Sequence, residues 1–205
     1  MQTKFFVVED HTITNLGIRQ LISEHEDFLC LGAASEKSEA LQKLYELSGQ
    51  NELPDILILD LFLGEESGLD LMRLVREIFP SIKILVYSMY AKSGIVSLAL
   101  EYGAAGFVSK SAPESELILA IEKIISGETF VQQTLVAPLF SYRTMFDGLT
   151  KQEQKIFKKI LERKSNAQIV KDLNIVPRSL ENYLSRIYAK TGCKNHEEVI
   201  LKFGE

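Results

Sequence analysis

Four short apolar runs in the first half of the chain each lead to side chains that can take part in chemistry. The runs cover residues 5–8, 56–59, 82–87 and 106–108, and the side chains that come after them are Glu9 and Asp10, Asp60, Ser88, and Lys110. Continuous apolar runs of this length favour buried parallel strands. Because ligands of an open parallel sheet bind beyond the carboxyl ends of its strands, we expect these five side chains to converge. The predicted pocket holds three carboxylates, a hydroxyl and an ammonium.

This pocket has the chemistry of a phosphoryl-accepting site. Glu9, Asp10 and Asp60 would repel one another unless a cation lay between them, and Mg²⁺ is the natural cation for such oxygen ligands. A phosphoryl group attracted there could be attacked by Asp60, which would form an acyl phosphate. Ser88 and Lys110 would supply a hydrogen bond and a positive charge to the phosphoryl oxygens. Each residue alone could be a helix cap or a solvated lysine, but their succession at strand ends favours a site.

The elements that must position these residues alternate between strand and helix up to about residue 126. Apolar periodicity predicts helices over residues 12–26, 36–48, 68–78, 92–102 and 113–126. Five strands that alternate with five helices indicate right-handed crossovers and an α/β doubly wound parallel sheet. The segment that follows is less periodic, contains Pro138 and is predicted to be a connector.

From Thr150 onward the sequence predicts only helices. Thr150 and Glu153 form a capping-box pattern, and Asn195 with Glu198 repeats it. Ser165 is a candidate cap between them. We therefore predict three segments, namely an α/β domain over residues 1–126, a linker over 127–147 and a small all-α domain over 148–205.

The distribution of charge constrains the partners of the two predicted domains. Residues 1–140 carry 10 basic against 20 acidic side chains, whereas residues 150–205 carry 12 basic against 7 acidic ones. The basic helical part favours nucleic acid as its partner. Two cysteines far apart in the sequence favour a reducing compartment, and no leader peptide or membrane-length apolar stretch is found. We predict a cytoplasmic chain with no membrane partner.

Residues 1–126 resemble a response-regulator receiver domain, the phosphoacceptor module of two-component signalling. The resemblance rests on Val7-Val8-Glu9-Asp10-His11, Leu57-Ile58-Leu59-Asp60-Leu61, Ser67-Gly68-Leu69, Val86-Tyr87-Ser88 and Gly106-Phe107-Val108-Ser109-Lys110. It implies a flavodoxin-like sheet with strand order 2-1-3-4-5 and transfer of a phosphoryl group from a sensor histidine kinase to Asp60. The magnesium ligands that it implies are Asp10, Asp60, the backbone carbonyl of Phe62 and, through water, Glu9. The switch residues that it implies are Ser88 and Phe107.

The turn after Asp60 departs from the family pattern. Many receivers have Met-Pro there, whereas this chain has Leu61-Phe62-Leu63-Gly64-Glu65, in which Gly64 permits a tight turn. Bulky Phe62 and Tyr90 lie two residues after Asp60 and Ser88. Two interpretations stay open: the two rings shield an acyl phosphate from water, or they only cover the rim of the pocket.

The helix predicted near residues 176–190 has two different faces. At about 100° per residue, Leu180, Tyr183, Leu184 and Ile187 gather on one side, opposite a face of polar and small residues. Such a helix could read the major groove of DNA, or it could be an ordinary surface helix.

Residues 148–203 resemble the LuxR-type helix-turn-helix domain of the NarL/FixJ regulators. The resemblance rests on Leu149-Thr150, Glu153, Ser165-Asn166, Ile169, Leu173, Ser179-Leu180-Glu181-Asn182, Ile187, Lys190 and Gly192. It implies a first motif helix over residues 168–174 and a recognition helix over 178–190. The base-facing positions that it implies are Glu181, Asn182 and Ser185. The phosphate contacts would be Lys171, Arg178, Arg186 and Lys190.

Several positions of this second domain depart from its family. Val176-Pro177 stands where Ser is frequent, Tyr183 replaces a frequent His, and Lys164 stands where Gly is common. Glu181 cannot contact phosphate favourably but could accept a hydrogen bond from a cytosine amino group. We expect a low DNA affinity in the monomer, so that dimerisation is required to reach two half-sites.

These observations predict a DNA-binding transcriptional response regulator. Phosphorylation of Asp60 would shift Ser88 and Phe107 and favour a homodimer through the fourth and fifth helices, or through the first and fifth. The expected partners are the histidine kinase, double-stranded promoter DNA and, as a further candidate, RNA polymerase. The chain is expected to be no enzyme beyond Mg²⁺-dependent self-phosphorylation from a phosphodonor and slow self-dephosphorylation.

Two other functions remain as alternatives. One is a receiver-like interaction protein that acts without DNA binding or without phosphorylation. The other is a hydrolase that uses Asp60 as nucleophile. A haloacid-type phosphatase would need a second Asp where Phe62 stands, and no P-loop or nucleophile elbow is found, so the sequence argues against the hydrolase.

Overall fold

The computed structural model describes residues 2–204, which group into two compact units. One unit comprises the chain up to Met89 together with Ala99–Gln132, and the other comprises Tyr90–Leu98 and the chain from Gln133 onward. Among the described residues, no helix combines the length and the apolar character needed to cross a membrane.

The first unit is built on a parallel six-stranded sheet. Among its described residues the unit has eight strands, of which six form this sheet: β1 (Thr3–Val8), β2 (Phe28–Ala34), β3 (Ile56–Leu59), β4 (Phe62–Leu63), β5 (Glu66–Ser67), β6 (Lys83–Ser88), β7 (Gly106–Ser109) and β8 (Phe130–Val131). The sheet has the order β2-β1-β3-β6-β7-β8, and β4 with β5 forms a separate antiparallel hairpin. Without the hairpin strands β4 and β5, strands β6 and β7 are the fourth and fifth along the chain, so the predicted order 2-1-3-4-5 is confirmed. The short β8 adds a sixth strand beside β7.

The five helices that the apolar periodicity predicts are all present. They are α1 (Thr12–Ser23), α2 (Lys37–Gly49), α3 (Gly68–Ile78), α4 (Ser93–Glu101) and α5 (Glu114–Ile125). The start of α3 is fixed locally, because the Ser67 hydroxyl accepts a hydrogen bond from the backbone N–H of Asp70 at 3.3 Å. Pro113 precedes α5, where its missing N–H costs nothing.

Both faces of the sheet are buried, which explains why its strands are apolar throughout. Phe5, Val7 and Ile58 pack in one cluster with Ile22 of α1 and Ile121 of α5. The alternating residues on the other face are also buried, namely Phe6, Val8, Leu57, Leu59, Ile84 and Val86. Because burial of each such side chain contributes about 1.5–3 kcal/mol, this core holds the strand ends at fixed positions.

The connector predicted between the two domains has regular structure. It contains β8 and the helix α6 (Gln133–Asp147), which continues through Pro138. On α6 the ring of Tyr142 lies 5.6 Å from that of Phe146 and 6.2 Å from that of Phe157 between ring centroids. This packing stabilises a helix that the apolar spacing and the proline of the segment did not predict.

The second unit contains four further helices, as the sequence predicts. They are α7 (Lys151–Leu161), α8 (Asn166–Leu173), α9 (Pro177–Thr191) and α10 (His196–Phe203). The predicted capping box of Thr150 and Glu153 is present, and Ser165 forms a second one with Gln168. Asn174 ends α8 in the left-handed conformation, with a φ of 49°. The core of the unit is formed by Ile156, Phe157, Ile160, Ile169, Leu180, Ile187 and Val199.

Candidate functional site

The carboxyl ends of four strands bring the predicted pocket together. Val8 of β1 lies opposite Leu59 of β3, and Ser88 of β6 lies opposite Ser109 of β7. The residues at or just after these ends are Glu9, Asp10, Asp60, Ser88 and Lys110. Because the register aligns the strand ends, the side chains that come after them can meet across the sheet.

Asp60 is the central residue of the pocket and is almost fully buried. Its Oδ1 accepts a hydrogen bond from the Ser88 hydroxyl at 2.7 Å and another from the backbone N–H of Phe62 at 3.3 Å. Its Oδ2 forms an ion pair with the Nζ of Lys110, which also lies 2.5 Å from Oε2 of Glu9. Four of the five predicted residues are thus in direct contact.

The charges of this pocket are set by burial and by Lys110. Burial raises the pKa of Glu9, although its hydrogen bond and ion pair with Lys110 oppose the change. Burial also lowers the pKa of Lys110, but hydrogen bonds to Asp60 and Glu9 outweigh that effect and leave the pKa raised. Lys110 is therefore an ammonium at neutral pH and can offer a positive charge to an incoming anion.

Asp10 lies at the more exposed side of the pocket. Its Oδ2 accepts a hydrogen bond from the backbone N–H of Gly64 at 3.0 Å, and its Oδ1 lies 2.9 Å from Nδ1 of His11. Ligand atoms of Glu9, Asp10 and His11 lie within 4.8 Å of one another. Adjacent carboxylates of this kind fit a hard divalent cation, and Lys110 connects Asp60 to Glu9.

The hairpin β4–β5 forms the loop that follows Asp60. Gly64 at its tip has a φ of 62°, in agreement with the tight turn predicted there. Phe62, which is half-buried, begins this hairpin, and Tyr90 is partly exposed. The shielding of an acyl phosphate by these two rings stays a prediction.

Gly68 is a structural requirement of the site that chemical reasoning on the sequence did not single out. Its N–H donates a hydrogen bond to the carbonyl of Leu61 at 2.8 Å. A Cβ at this position would lie 2.2 Å from the carbonyl oxygen of Asp60 and 2.6 Å from Cα of Leu61. Only glycine lets α3 start this close to the backbone of the pocket, and the Ser67-Gly68 sequence before a helix is the signal that could have indicated it.

Of the two predicted switch residues, Ser88 is part of the pocket and Phe107 lies on the neighbouring strand β7. Ser88 and Phe107 are both fully buried. The carbonyl of Phe107 accepts a hydrogen bond from the backbone N–H of Gln132 at 3.1 Å. Gln132 itself is buried, and its side-chain Oε1 accepts a hydrogen bond from the N–H of Ser109 at 3.0 Å. Gln132 was missed from the sequence, where it stands in a segment without a periodic pattern.

The predicted DNA-contacting residues lie on the exposed side of the helix-turn-helix. On α9 the buried stripe consists of Leu180, Leu184, Ile187 and Thr191. The exposed predicted residues are Arg178, Glu181, Asn182, Ser185, Arg186 and Lys190, with Lys171 on α8. Among the described residues, the side chains of Glu181, Asn182 and Ser185 have no intramolecular hydrogen-bond partner, so these three remain available to a ligand.

Lys190 differs from the other predicted DNA contacts because it already has partners. Its Nζ lies 2.7 Å from Oε2 of Glu153 and donates a hydrogen bond to the carbonyl of Gly148 at 3.3 Å. Glu153 also accepts a hydrogen bond from the N–H of Thr150 at 2.8 Å. Lys190 therefore connects the end of α9 to the cap of α7, which gives it a structural role that the sequence did not indicate.

An acidic strand-end pocket on a parallel sheet, in one chain with a helix-turn-helix unit, defines the class of two-component response regulators with a DNA-binding domain. Comparison with known families agrees. The response regulator receiver domain matches residues 5–122, and the family of bacterial regulatory proteins of the luxR type matches residues 147–203.

Curated relatives align with this chain over nearly their whole length. The transcriptional activator protein ExaE of Pseudomonas putida is 28% identical over 202 residues, which cover 95% of this chain and 92% of that protein. The oxygen regulatory protein NreC of Staphylococcus haemolyticus is 29% identical over 210 residues, which cover 96% and 94%.

Solved structures share the fold. A LuxR-family two-component response regulator from an Aurantimonas species is 28% identical, with a TM-score of 0.64 over 70% of this chain and 99% of that one. RcsB from Salmonella enterica serovar Typhimurium, bound to promoter rprA in the presence of BeF3-, has a TM-score of 0.74 at 20% identity, and the match covers 100% of both chains.

The chain therefore belongs to the response regulator receiver family and carries a LuxR-type DNA-binding domain in its second part. These two domains together are those of a transcriptional regulator and not of a classical enzyme. The family assignments made from the sequence are confirmed for both parts of the chain.

Proposed function

We propose that this chain is a cytoplasmic transcription regulator that is switched by transfer of a phosphoryl group from a sensor histidine kinase to Asp60. The observation that carries the proposal is the arrangement of Ser88, Asp60 and Lys110, in which one carboxylate meets a hydroxyl at 2.7 Å and an ammonium. This arrangement offers a nucleophile together with groups that can stabilise the transferred oxygens.

In the proposed reaction an oxygen of Asp60 attacks the phosphorus of the phosphohistidine. A P–O bond forms and the P–N bond breaks, and the leaving imidazole nitrogen keeps the electron pair and takes up a proton from the solvent. Asp10, Asp60, the Phe62 carbonyl and, through water, Glu9 would hold Mg²⁺, which when bound supplies positive charge to the phosphoryl oxygens. Lys110 would exchange its contact with Asp60 for one with the phosphoryl group, and Ser88 would donate its hydroxyl hydrogen to a phosphoryl oxygen. Self-phosphorylation from a small phosphodonor and slow self-dephosphorylation follow from the same groups.

For the output we propose a receiver domain over residues 1–126 and a DNA-binding domain over 148–205, joined by residues 127–147. Phosphorylation would favour a homodimer that binds two half-sites of double-stranded promoter DNA, with RNA polymerase as a further partner. The exposed positions Glu181, Asn182 and Ser185 would face bases, and Lys171, Arg178 and Arg186 would contact phosphates. The names of ExaE, an activator, and of the promoter-bound RcsB support this output.

The central claim is tested by intact-mass measurement after incubation with acetyl phosphate and Mg²⁺. The wild-type chain should gain one phosphoryl group, and Asp60→Asn should gain none. Asp147→Asn, which changes an exposed aspartate of α6, is the matched control and should gain one group like the wild type. Labelling of Asp60→Asn to the wild-type extent would contradict the assignment of the acceptor.

The output is tested by a mobility-shift assay on promoter fragments with the same proteins. We expect acetyl phosphate to strengthen binding of the wild-type chain but not of Asp60→Asn. An interaction protein that does not bind DNA is the second candidate, because Glu181 places an exposed negative charge in the middle of the proposed DNA face. Binding to no fragment under any condition would favour that candidate.

A further inference from the structure

Gln132 is a buried polar residue that links the edge of the sheet to the proposed phosphoacceptor site. It directly follows β8 and is only 8% exposed. Its backbone N–H donates to the carbonyl of Phe107 at 3.1 Å, and its side-chain Oε1 accepts from the N–H of Ser109 at 3.0 Å. Main chain and side chain of one residue thus hold the last residues of β7, the strand that leads to Lys110.

The Ser109 N–H is the point at which this contact acts on the pocket. Ser109 is the last residue of β7, and Lys110 is attached directly to it. The N–H of Lys110 donates to the carbonyl of Ser88 at 2.9 Å, and the N–H of Ser111 donates to Oγ of Ser109 at 3.2 Å. Every backbone N–H from Ser109 to Ser111 therefore has a hydrogen-bond acceptor, and the acceptor of the Ser109 N–H is the Gln132 side chain.

The direction of Lys110 depends on these backbone contacts. Its ammonium spans two carboxylates, Glu9 and Asp60, which come from different strands. A small rotation of the peptide between Ser109 and Lys110 moves the far end of this long side chain by much more than it moves the backbone. Groups that stabilise a transferred phosphoryl group act only when they are placed accurately, because catalysis of this kind depends on preorganised charge.

We propose that Gln132 is a positioning residue for Lys110 and thereby sets how efficiently Asp60 accepts a phosphoryl group. The inference rests on the proposed function of Asp60. The side chain suits this place because its length puts an acceptor oxygen at the buried N–H of Ser109. An apolar side chain would leave a buried N–H without an acceptor, which the backbone would relieve by moving.

The test compares variants that differ in the acceptor at this position. Gln132→Met keeps the length and burial of the side chain but removes the acceptor. Gln132→Asn keeps an amide but is one methylene too short to reach Ser109. Gln132→Glu keeps an acceptor at the same distance and should restore function. Gln133→Met is the matched control, because Gln133 is the exposed next residue and its side chain has no hydrogen-bond partner among the described residues.

The measurement is the initial rate of phosphoryl incorporation from acetyl phosphate at saturating Mg²⁺, at a temperature well below the unfolding transition of each variant. We expect the rate to fall by roughly tenfold in Gln132→Met and Gln132→Asn, since misplacing a catalytic group by about 1 Å can cost up to about a hundredfold. Gln132→Glu should recover most of the rate, and Gln133→Met should equal the wild type. If Gln132→Met fails to fold, Gln132→Asn carries the test.

Three results would overturn the inference. Wild-type rates in both Gln132→Met and Gln132→Asn would show that the contact does not position Lys110. A loss of rate that Gln132→Glu does not recover, with all three variants unfolding at lower temperature, would show that Gln132 only supports the fold. If the wild-type chain takes up no phosphoryl group, the proposed function and this inference are both overturned. The wild-type measurement alone identifies this outcome.

Discussion

Two buried carboxylates share one ammonium at the strand ends of the sheet. Glu9 and Asp60 both contact Lys110, and all three are largely shielded from water. An ion pair of this kind costs desolvation energy that is recovered only while every partner is present. At the residue scale the two carboxylates therefore depend on the Lys110 ammonium, and we expect removal of this positive charge to destabilise the fold.

Lys110→Met should lower the free energy of unfolding by about 3 kcal/mol near neutral pH in metal-free buffer, because two buried carboxylates lose their counter-charge. Because its pKa is raised, Glu9 stabilises the fold below pH 4.5 and loses this contribution as the pH rises through its folded-state pKa. The deficit of the variant should therefore shrink as the pH falls towards 4.5, because a protonated Glu9 no longer needs the counter-charge of Lys110. Urea unfolding at several pH values across this range measures the deficit.

Lys123→Met, which removes an exposed ion pair with Glu128, is the control and should show no such pH-dependent deficit. A deficit independent of pH would contradict the prediction.

Gly68→Ala should disturb the pocket through the backbone. A Cβ there would meet the carbonyl of Asp60 at 2.2 Å, so either α3 or the Asp60 loop must move. We expect a loss of about 2 kcal/mol or more in unfolding free energy, together with slower phosphorylation of Asp60. Gly17→Ala on α1 is the control: nothing lies within 4 Å of its Cβ, so the better helix former should stabilise the chain by about 0.5–1 kcal/mol. Equal stabilities of the two variants would argue against the close approach.

At the scale of elements, helices of the second unit are stabilised at their ends by side-chain hydrogen bonds and by an ion pair. Thr150 and Ser165 cap α7 and α8 within their own segments. The end of α9 is tied differently, by an ion pair from Lys190 to Glu153 at 2.7 Å. One carboxylate therefore serves the cap of α7 and also fixes the far end of the proposed recognition helix.

Glu153→Gln should remove the ion pair with Lys190 and change how the stability of the second unit depends on pH. Burial acts to raise the pKa of Glu153, but hydrogen bonds from Lys190 and Thr150 outweigh it and leave the pKa lowered. A lowered pKa gives stability that is present above pH 4.5 and is lost as the pH falls through the folded-state value. The variant should lose about 1.5 kcal/mol near neutral pH and little more on acidification. Circular dichroism during acid titration measures this. Glu197→Gln, an exposed glutamate in α10, should follow the wild type.

At the scale of the whole molecule, the chain consists of two compact units of opposite net charge. The core of the first unit is aliphatic and lies around the sheet. The core of the second contains the rings of Tyr142, Phe146, Phe157 and Phe203, whose centroids lie 5.5–6.2 Å apart where they contact. We expect damage to the core of one unit to leave the chemistry of the other in place.

Phe157→Ala should separate the two activities. The ring is fully buried and contacts three other aromatic rings, so its loss should cost the second unit about 3–5 kcal/mol. We expect promoter binding to be lost while phosphorylation of Asp60 proceeds at close to the wild-type rate. Intact-mass and mobility-shift measurements on the same preparation check both. Loss of phosphorylation in this variant would contradict the independence of the two cores.

The local sequence determined which residues end each strand, and with them the members of the pocket, because an apolar run and the polar residue after it are neighbours in the chain. Glu9, Asp60, Ser88 and Lys110 were predictable for that reason, and so were the caps at Thr150 and Ser165. Helix α6 was not, since it depends on rings from distant segments. The tertiary structure alone gave Lys190 its partner 37 residues away and Gln132 its partner 23 residues away. Such contacts have no local pattern, because they arise only when the sheet and the helices have packed.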